Sequence, residues 1–220
     1  TMGKIAALGV SPFIMQSTES LIMVVFTSGL QAYGGDLYVG SMTILQSVMQ
    51  LVVVPFQGFT MGVQPIISYN YGAKQFGRVK QCIKIMTVIT FGCACAACAA
   101  VICFPAAFAH IFTDKAELIA LVARVLPIYF GGMWLFGIQM SVQSAFIGLG
   151  QAPTSLFIAL LRKIILLTPL ALILPMHFGV MGIYWAEPIS DIISAATSGV
   201  LFLIVGRRLL REGEDRAKAV

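Results

Sequence analysis

Charge is what this sequence has least of: only 10% of its 220 residues are Asp, Glu, Lys or Arg, against 59% hydrophobic. Ordinary globular domains carry about 25% charged residues. A chain this apolar cannot clothe a water-facing surface, so a soluble fold is excluded and lipid must be the solvent. Histidine is nearly missing too. His110 and His177 lie far apart and isolated, which leaves no metal site or catalytic base built on them. There is no phosphate-cradling glycine loop and no nucleophile with a base at a telling spacing, so the chain does not read as an enzyme. Period-2 alternation is absent and the apolar runs are too long for barrel strands. Cys82, Cys93, Cys95, Cys98 and Cys103 cluster in one region. The Cys95 to Cys98 spacing lacks a second pair, a histidine and polar surroundings, which makes these small packing residues and leaves no expected metal or cofactor.

What is present is length without charge. Uncharged stretches of about 20 residues suffice to cross about 30 Å of hydrocarbon. Six spans are expected, at about 12–30, 41–68, 85–109, 126–147, 155–174 and 182–206, forming one all-α integral membrane lobe over 1–206 with a basic tail at 207–220. Turn residues mark the gaps: Tyr33-Gly34-Gly35-Asp36, Asn70-Tyr71-Gly72, Thr113-Asp114-Lys115, Gly148 to Pro153, and Pro175 to Gly179. Thr1-Met2-Gly3-Lys4 runs into apolar sequence with no small-residue cleavage site, so the first apolar run is expected to stay in the protein. Thr1 preceding Met2 also suggests a fragment or an expression scar.

Lys and Arg accumulate on the cytoplasmic side of short loops. Lys4, Lys74, Arg78, Lys80, Lys84, Arg162, Lys163 and the Arg207 to Lys218 group fall on one side, with only Lys115 and Arg124 on the other. Both ends are therefore expected in the cytoplasm, the tail near anionic headgroups with Glu212, Glu214 and Asp215 moderating it. The net charge of +5 serves this topology and not nucleic-acid binding.

The informative residues are acids inside apolar runs. Glu19 lies within the first span and Asp191 within the last, with Glu187 one turn before Asp191 on the same face and Pro188 between them. The sequence reading finds no Lys or Arg deep in a span to neutralise them. Such a carboxylate must be protonated, face water, or hold a cation, each of which suits proton or sodium coupling. A buried carboxyl donating to a backbone carbonyl, or Glu187 capping near the outer end, are the structural alternatives.

Pro55, Pro65, Pro105, Pro127 and Pro169 lie in or beside spans, where they serve either bending or packing. Gln46 and Gln50 sit one turn apart on the second span, and Gln139 and Gln143 one turn apart on the fourth, near Ser141 and Ser144. These polar stripes face the bundle interior, either lining a substrate cavity or bonding helix to helix. Met140 and Tyr184 join the cavity candidates, although most of the methionines suit packing equally.

The stretch from Gln57-Gly58-Phe59 through Gln64-Pro65-Ile66-Ile67-Ser68-Tyr69-Asn70-Tyr71-Gly72-Ala73-Lys74, followed by Arg78-Val79-Lys80, resembles the eighth helix and following loop of the multidrug and toxic compound extrusion (MATE) family. Ser11-Pro12-Phe13-Ile14-Met15-Gln16 with Glu19 resembles its seventh helix, Phe146 to Pro153 its loop between helices ten and eleven, and Ala186-Glu187-Pro188-Ile189-Ser190-Asp191 its twelfth. The resemblance implies the C-terminal lobe of a twelve-helix antiporter in the plasma membrane. Its proton or sodium influx would drive export of cationic drugs or metabolites, with a missing N-terminal lobe and membrane lipids as partners. It also implies that Glu19 takes part in cation coupling. The acidic partner that some members carry on helix ten has no counterpart in 126–147, and Glu187 and Asp191, by their depth in the last span, are the candidates to take its place. A lipid-linked oligosaccharide flippase would need deep cations for pyrophosphate. It and a purely structural membrane subunit are the alternatives.

Overall fold

The computed structural model describes residues 2–218, with side chains described from Ser17 to Arg211, Ala152 excepted, and at Gly213. The expectations for Thr1, Lys4, Glu212, Glu214, Asp215, Arg216 and Lys218, and for the Ser11 to Gln16 side chains, lie outside the described residues. Among the described residues every element is helical. Helix α1 (Met2–Gly34) and α2 (Asp36–Gly72) are parted by Gly35 alone, whose φ of 75° suits glycine. Helix α3 (Phe76–Cys103) breaks at Phe104 and is followed by the short α4 (Pro105–His110). Helix α5 (Ala116–Tyr129), a 3-10 turn (Phe130–Gly132) and α6 (Met133–Gly148) run on as one stretch. So do α7 (Ala152–Leu160), a π-helical turn (Leu161–Leu167) and α8 (Thr168–Phe178). Helix α9 (Val180–Leu201) passes through a second π turn (Phe202–Gly206) into α10 (Arg207–Lys218).

Among the described residues, five helical stretches are long and apolar enough to cross a membrane: Asp36–Gly72, Phe76–Cys103, Ala116–Gly148, Pro153–Phe178 and Val180–Arg211. With the 33-residue α1 they make about six, as the uncharged runs require. Large apolar side chains such as Val24, Met61, Val88, Met176 and Ile204 stay more than half exposed, which lipid tolerates and water does not. Inside, Phe26 and Leu30 of α1, Leu45 and Val48 of α2, Val122, Val125 and Leu126 of α5, and Ile183 and Ala186 of α9 form the main core.

The helices run longer than the uncharged windows. The fourth stretch begins at Ala116, not near 126, because Glu117 and Arg124 point outward while Val122, Val125, Leu126 and Tyr129 form a buried stripe at helical spacing. The turns expected at Asn70-Tyr71-Gly72 and at Pro175 to Phe178 are helical. A proline inside a membrane helix is tolerated where neighbouring helices satisfy the freed carbonyls, and Pro175 is itself buried in the packed lobe.

Candidate functional site

The site is assembled around a helical irregularity. Pro169 sits in the first turn of α8 and has no N–H to donate back, so the ladder before it is perturbed, and the preceding turn, Leu161–Leu167, is π-helical. Two carbonyls of the turn take a hydroxyl donor: Lys163 O, which already accepts the Thr168 N–H, also accepts the Thr168 hydroxyl at 2.8 Å, and Arg162 O accepts the Ser190 hydroxyl of α9 at 2.9 Å. The irregular turn is thus stitched to α9.

The same turn carries Arg162 inward, and here the structure corrects the sequence reading. Arg162 is not at a cytoplasmic edge. It lies about 14 Å along the helix from Pro153, deep in a 26-residue span, and is 5% exposed. Its Nε donates to Asp191 Oδ1 at 2.7 Å and its Nη2 to Glu187 Oε1 at 2.7 Å, with Nη2 also 2.6 Å from Asp191 Oδ1. The guanidinium stands over the Phe136 ring, 4.8 Å from its centroid. Glu187 and Asp191, one turn apart on α9, therefore do have a basic counterpart. Neither caps a helix end, and neither is a lone carboxyl donating to backbone.

Gly132 makes room for this. A Cβ there would stand 2.7 Å from Pro188 O and 2.9 Å from Asp191 Cβ, so only glycine lets the 3-10 turn press against α9 beside the acids. Tyr129, buried on α5, shares the electrostatic field of Arg162, Glu187 and Asp191.

Glu19 is joined to the group through the neighbouring residue of the π turn. Lys163 forms an ion pair with Glu19 of α1, the lysine side chain 16% exposed and the carboxylate side 55%. Lys163 also lies in the field of Glu187 and Asp191. Glu187 and Asp191 thus share Arg162, and Glu19 pairs with the next residue along the chain, Lys163.

The cavity candidates are scattered by comparison. Gln46, Gln143 and Met140 are half-buried and Gln50 is exposed. Gln139 is 2% exposed, and its Oε1 has no hydrogen-bond partner among the described residues. Tyr184 has no exposed surface. Its hydroxyl shares a 2.6 Å hydrogen bond with Ser41 of α2 and donates to Tyr38 O at 3.3 Å, so it joins α9 to α2 within the lobe. Among the described residues no three His, Cys, Asp or Glu side chains gather as a metal site. Cys98 donates to Phe130 O at 3.3 Å.

Arg162 and Lys163 are absent from the sequence candidates because the positive-inside rule assigns them to the cytoplasmic side, although the fifth span, 155–174, runs through them. A signal was available. Two carboxylates spaced i, i+4 in an apolar helix demand a cation from another helix, and Arg162-Lys163 is a basic pair followed by a helix-perturbing Thr168-Pro169.

The MatE family model matches residues 11–173. The multidrug export protein MepA of Staphylococcus aureus is 23% identical over 209 residues, covering 94% of this chain and 46% of that protein. MepA of Staphylococcus saprophyticus is 24% identical over 200 residues, covering 89% and 42%. Among solved structures, the MATE multidrug transporter DinF-BH superposes with a TM-score of 0.78 at 35% identity, over 89% of this chain and 44% of that one. A mutant of the Vibrio cholerae MATE transporter VcmN reaches 0.85 at 20% identity, over 96% and 49%, a likeness of fold. The chain spans about half the length of the relatives it matches.

Proposed function

This chain belongs to the MatE family, and from that membership we propose that it works as one lobe of a cation-coupled efflux transporter for organic, often cationic, compounds. The reading is carried by the charge balance of the cluster. Glu19, Glu187 and Asp191 pair with Arg162 and Lys163, three carboxyl groups against two basic side chains, in an apolar lobe. A surplus negative charge in that setting is costly unless a further cation shares the site. A proton or a sodium ion entering with its gradient supplies that charge. Its arrival and departure then change the electrostatics that hold α1, the π turn and α9 together.

Glu19 is the coupling residue in this scheme, because its carboxylate retains open surface while Glu187 and Asp191 are enclosed. Gln46, Gln50, Gln143 and Met140 contribute to the compound-binding cavity against a second lobe, with membrane lipid around both. Both chain ends lie on the cytoplasmic side of the plasma membrane, in keeping with the basic residues outside the spans. No cofactor beyond the coupling ion is required.

In the full-length protein reconstituted in vesicles, Glu19→Gln is expected to abolish compound-stimulated proton or sodium movement. Coupled ion movement at the unsubstituted rate would remove Glu19 from the site. A flippase for lipid-linked oligosaccharides is the competing reading. It would use deep cations to hold pyrophosphate. Arg162 and Lys163 are deep, but both face carboxylates and the surplus charge is negative, which favours a cationic ligand.

A further inference from the structure

The two cations of the cluster are held very differently. Arg162 is enclosed, bonded to two carboxylates and stacked on Phe136, and its backbone carbonyl is gripped by Ser190. Lys163 reaches the other way, to a carboxylate on α1 that is more than half exposed. Its own carbonyl is fixed by Thr168, so the backbone is pinned and the four-carbon side chain is the part free to swing. Two anionic berths lie within its field. One is Glu19, its ion-pair partner on α1, and the other is the Glu187–Asp191 pair on α9, where two carboxyl groups share a single guanidinium.

We propose that Lys163 is a tethered cation that competes with the transported or coupling monovalent cation for Glu19, turning to the Glu187–Asp191 pair when that cation arrives and returning when it leaves. The inference rests on the coupling role of Glu19 argued above and adds the group that Glu19 must release. Charge is conserved in the exchange: the incoming cation neutralises Glu19, and the displaced ammonium neutralises the surplus on α9. The groups that act on the ammonium are Glu19 from α1 and Glu187 and Asp191 from α9, and Tyr129 from α5 and the adjacent Arg162 interact with the two α9 acids. A lysine suits the task because its charge is a point on a flexible stem, whereas an arginine fork holds its partner in fixed geometry. Binding at Glu19 thereby alters how α9 is held, which is the link an exchanger needs between occupancy and shape.

The test is equilibrium binding to the full-length protein in detergent, with radiolabelled sodium and tetraphenylphosphonium in separate arms to tell an inorganic from an organic cation. Lys163→Gln is expected to tighten one of the two probes by about tenfold or more, because the internal competitor is gone. Lys163→Arg should not show the gain, and Lys163→Gln combined with Glu19→Gln should lose it. Unchanged or weaker binding of both probes in a well-folded Lys163→Gln protein overturns the proposal, as does a gain that survives the double substitution. Should Lys163→Gln fail to fold, acetylation of Lys163 in the unsubstituted protein is followed by mass spectrometry. Saturating cation is expected to lower its labelling by moving the ammonium inward, and constant labelling refutes the exchange. If Glu19→Gln itself retains full cation binding, the coupling role falls. If Glu19→Gln loses binding while Lys163→Gln gains none, only the tethered-cation inference falls.

Discussion

Two interfaces of this lobe use polar atoms for opposite ends. Where α3 meets α6, the contacts are neutral and close. Thr87 and Ser141 share a hydroxyl bond, and Gly137 brings α6 so near α3 that a Cβ would stand 2.5 Å from Thr90 O. Such packing, with small residues and hydroxyl bonds, is how membrane helices are fastened without a hydrophobic driving force. Where the π turn meets α1 and α9, five ionisable groups pair across an irregular backbone. Charges in an apolar lobe are costly to bury unless they are paired and hydrogen-bonded. The first interface is built to stay; the second, in the function proposed above, is built around groups whose pairing an entering cation alters.

The largest expected effect breaks the second interface. Arg162→Met strands Glu187 and Asp191 without their cation and should cost about 3–5 kcal/mol, read as a fall in the unfolding midpoint in detergent. Adding Glu187→Gln and Asp191→Asn to it should recover most of that loss, since a neutral cluster has no charge to leave unpaired. A triple variant no more stable than Arg162→Met would mean that the arginine contributes mainly by packing. The next effect belongs to the first interface. Gly137→Ala inserts a methyl against Thr90 O and Ala94, and overpacking of about 1–3 kcal/mol should outweigh the helix gain of about 0.5–1 kcal/mol. The unfolding midpoint decides the sign, and a rise would show that α3 and α6 can part without cost.

Most of the fold was legible from uncharged length, because crossing hydrocarbon leaves the backbone few choices. The helix ends were less so, since Glu117 and Arg124 lower a hydropathy average while pointing away from the stripe formed by Val122, Val125 and Leu126. At the site, Glu19, Glu187 and Asp191 stood out as acids in apolar sequence, but their partners did not. Hydropathy and the charge bias of loops score a residue by its own transfer cost. Arg162 escapes that cost through carboxylates 25 and 29 positions away, a fact of tertiary packing. Tyr184 was ambiguous for the complementary reason: an amphipathic ring suits a cavity wall and a helix seam equally, and only the folded lobe shows its hydroxyl bonded to Ser41.

The smallest effect gives the sharpest comparison, because it removes the same atom from both regions. Ser190 donates to Arg162 O in the π turn at 2.9 Å, and Ser144 donates to Thr60 O between α6 and α2 at 3.2 Å. Each serine is buried, and Ser190→Ala and Ser144→Ala should each lower stability by about 1 kcal/mol, the usual net worth of such a bond. Their functional consequences should differ. Thr60 O lies in regular helix, so losing the extra donor leaves the neighbouring geometry intact. Arg162 O belongs to a turn whose ladder is already disturbed, and without Ser190 the turn is held to α9 by its ion pairs alone at that point. Ser190→Ala should therefore slow cation-coupled efflux in vesicles while Ser144→Ala leaves it unchanged at matched protein levels. Equal rates in the two variants would erase the distinction between a fastened interface and a working one, since the hydroxyl on the π turn would then be no more than another packing bond.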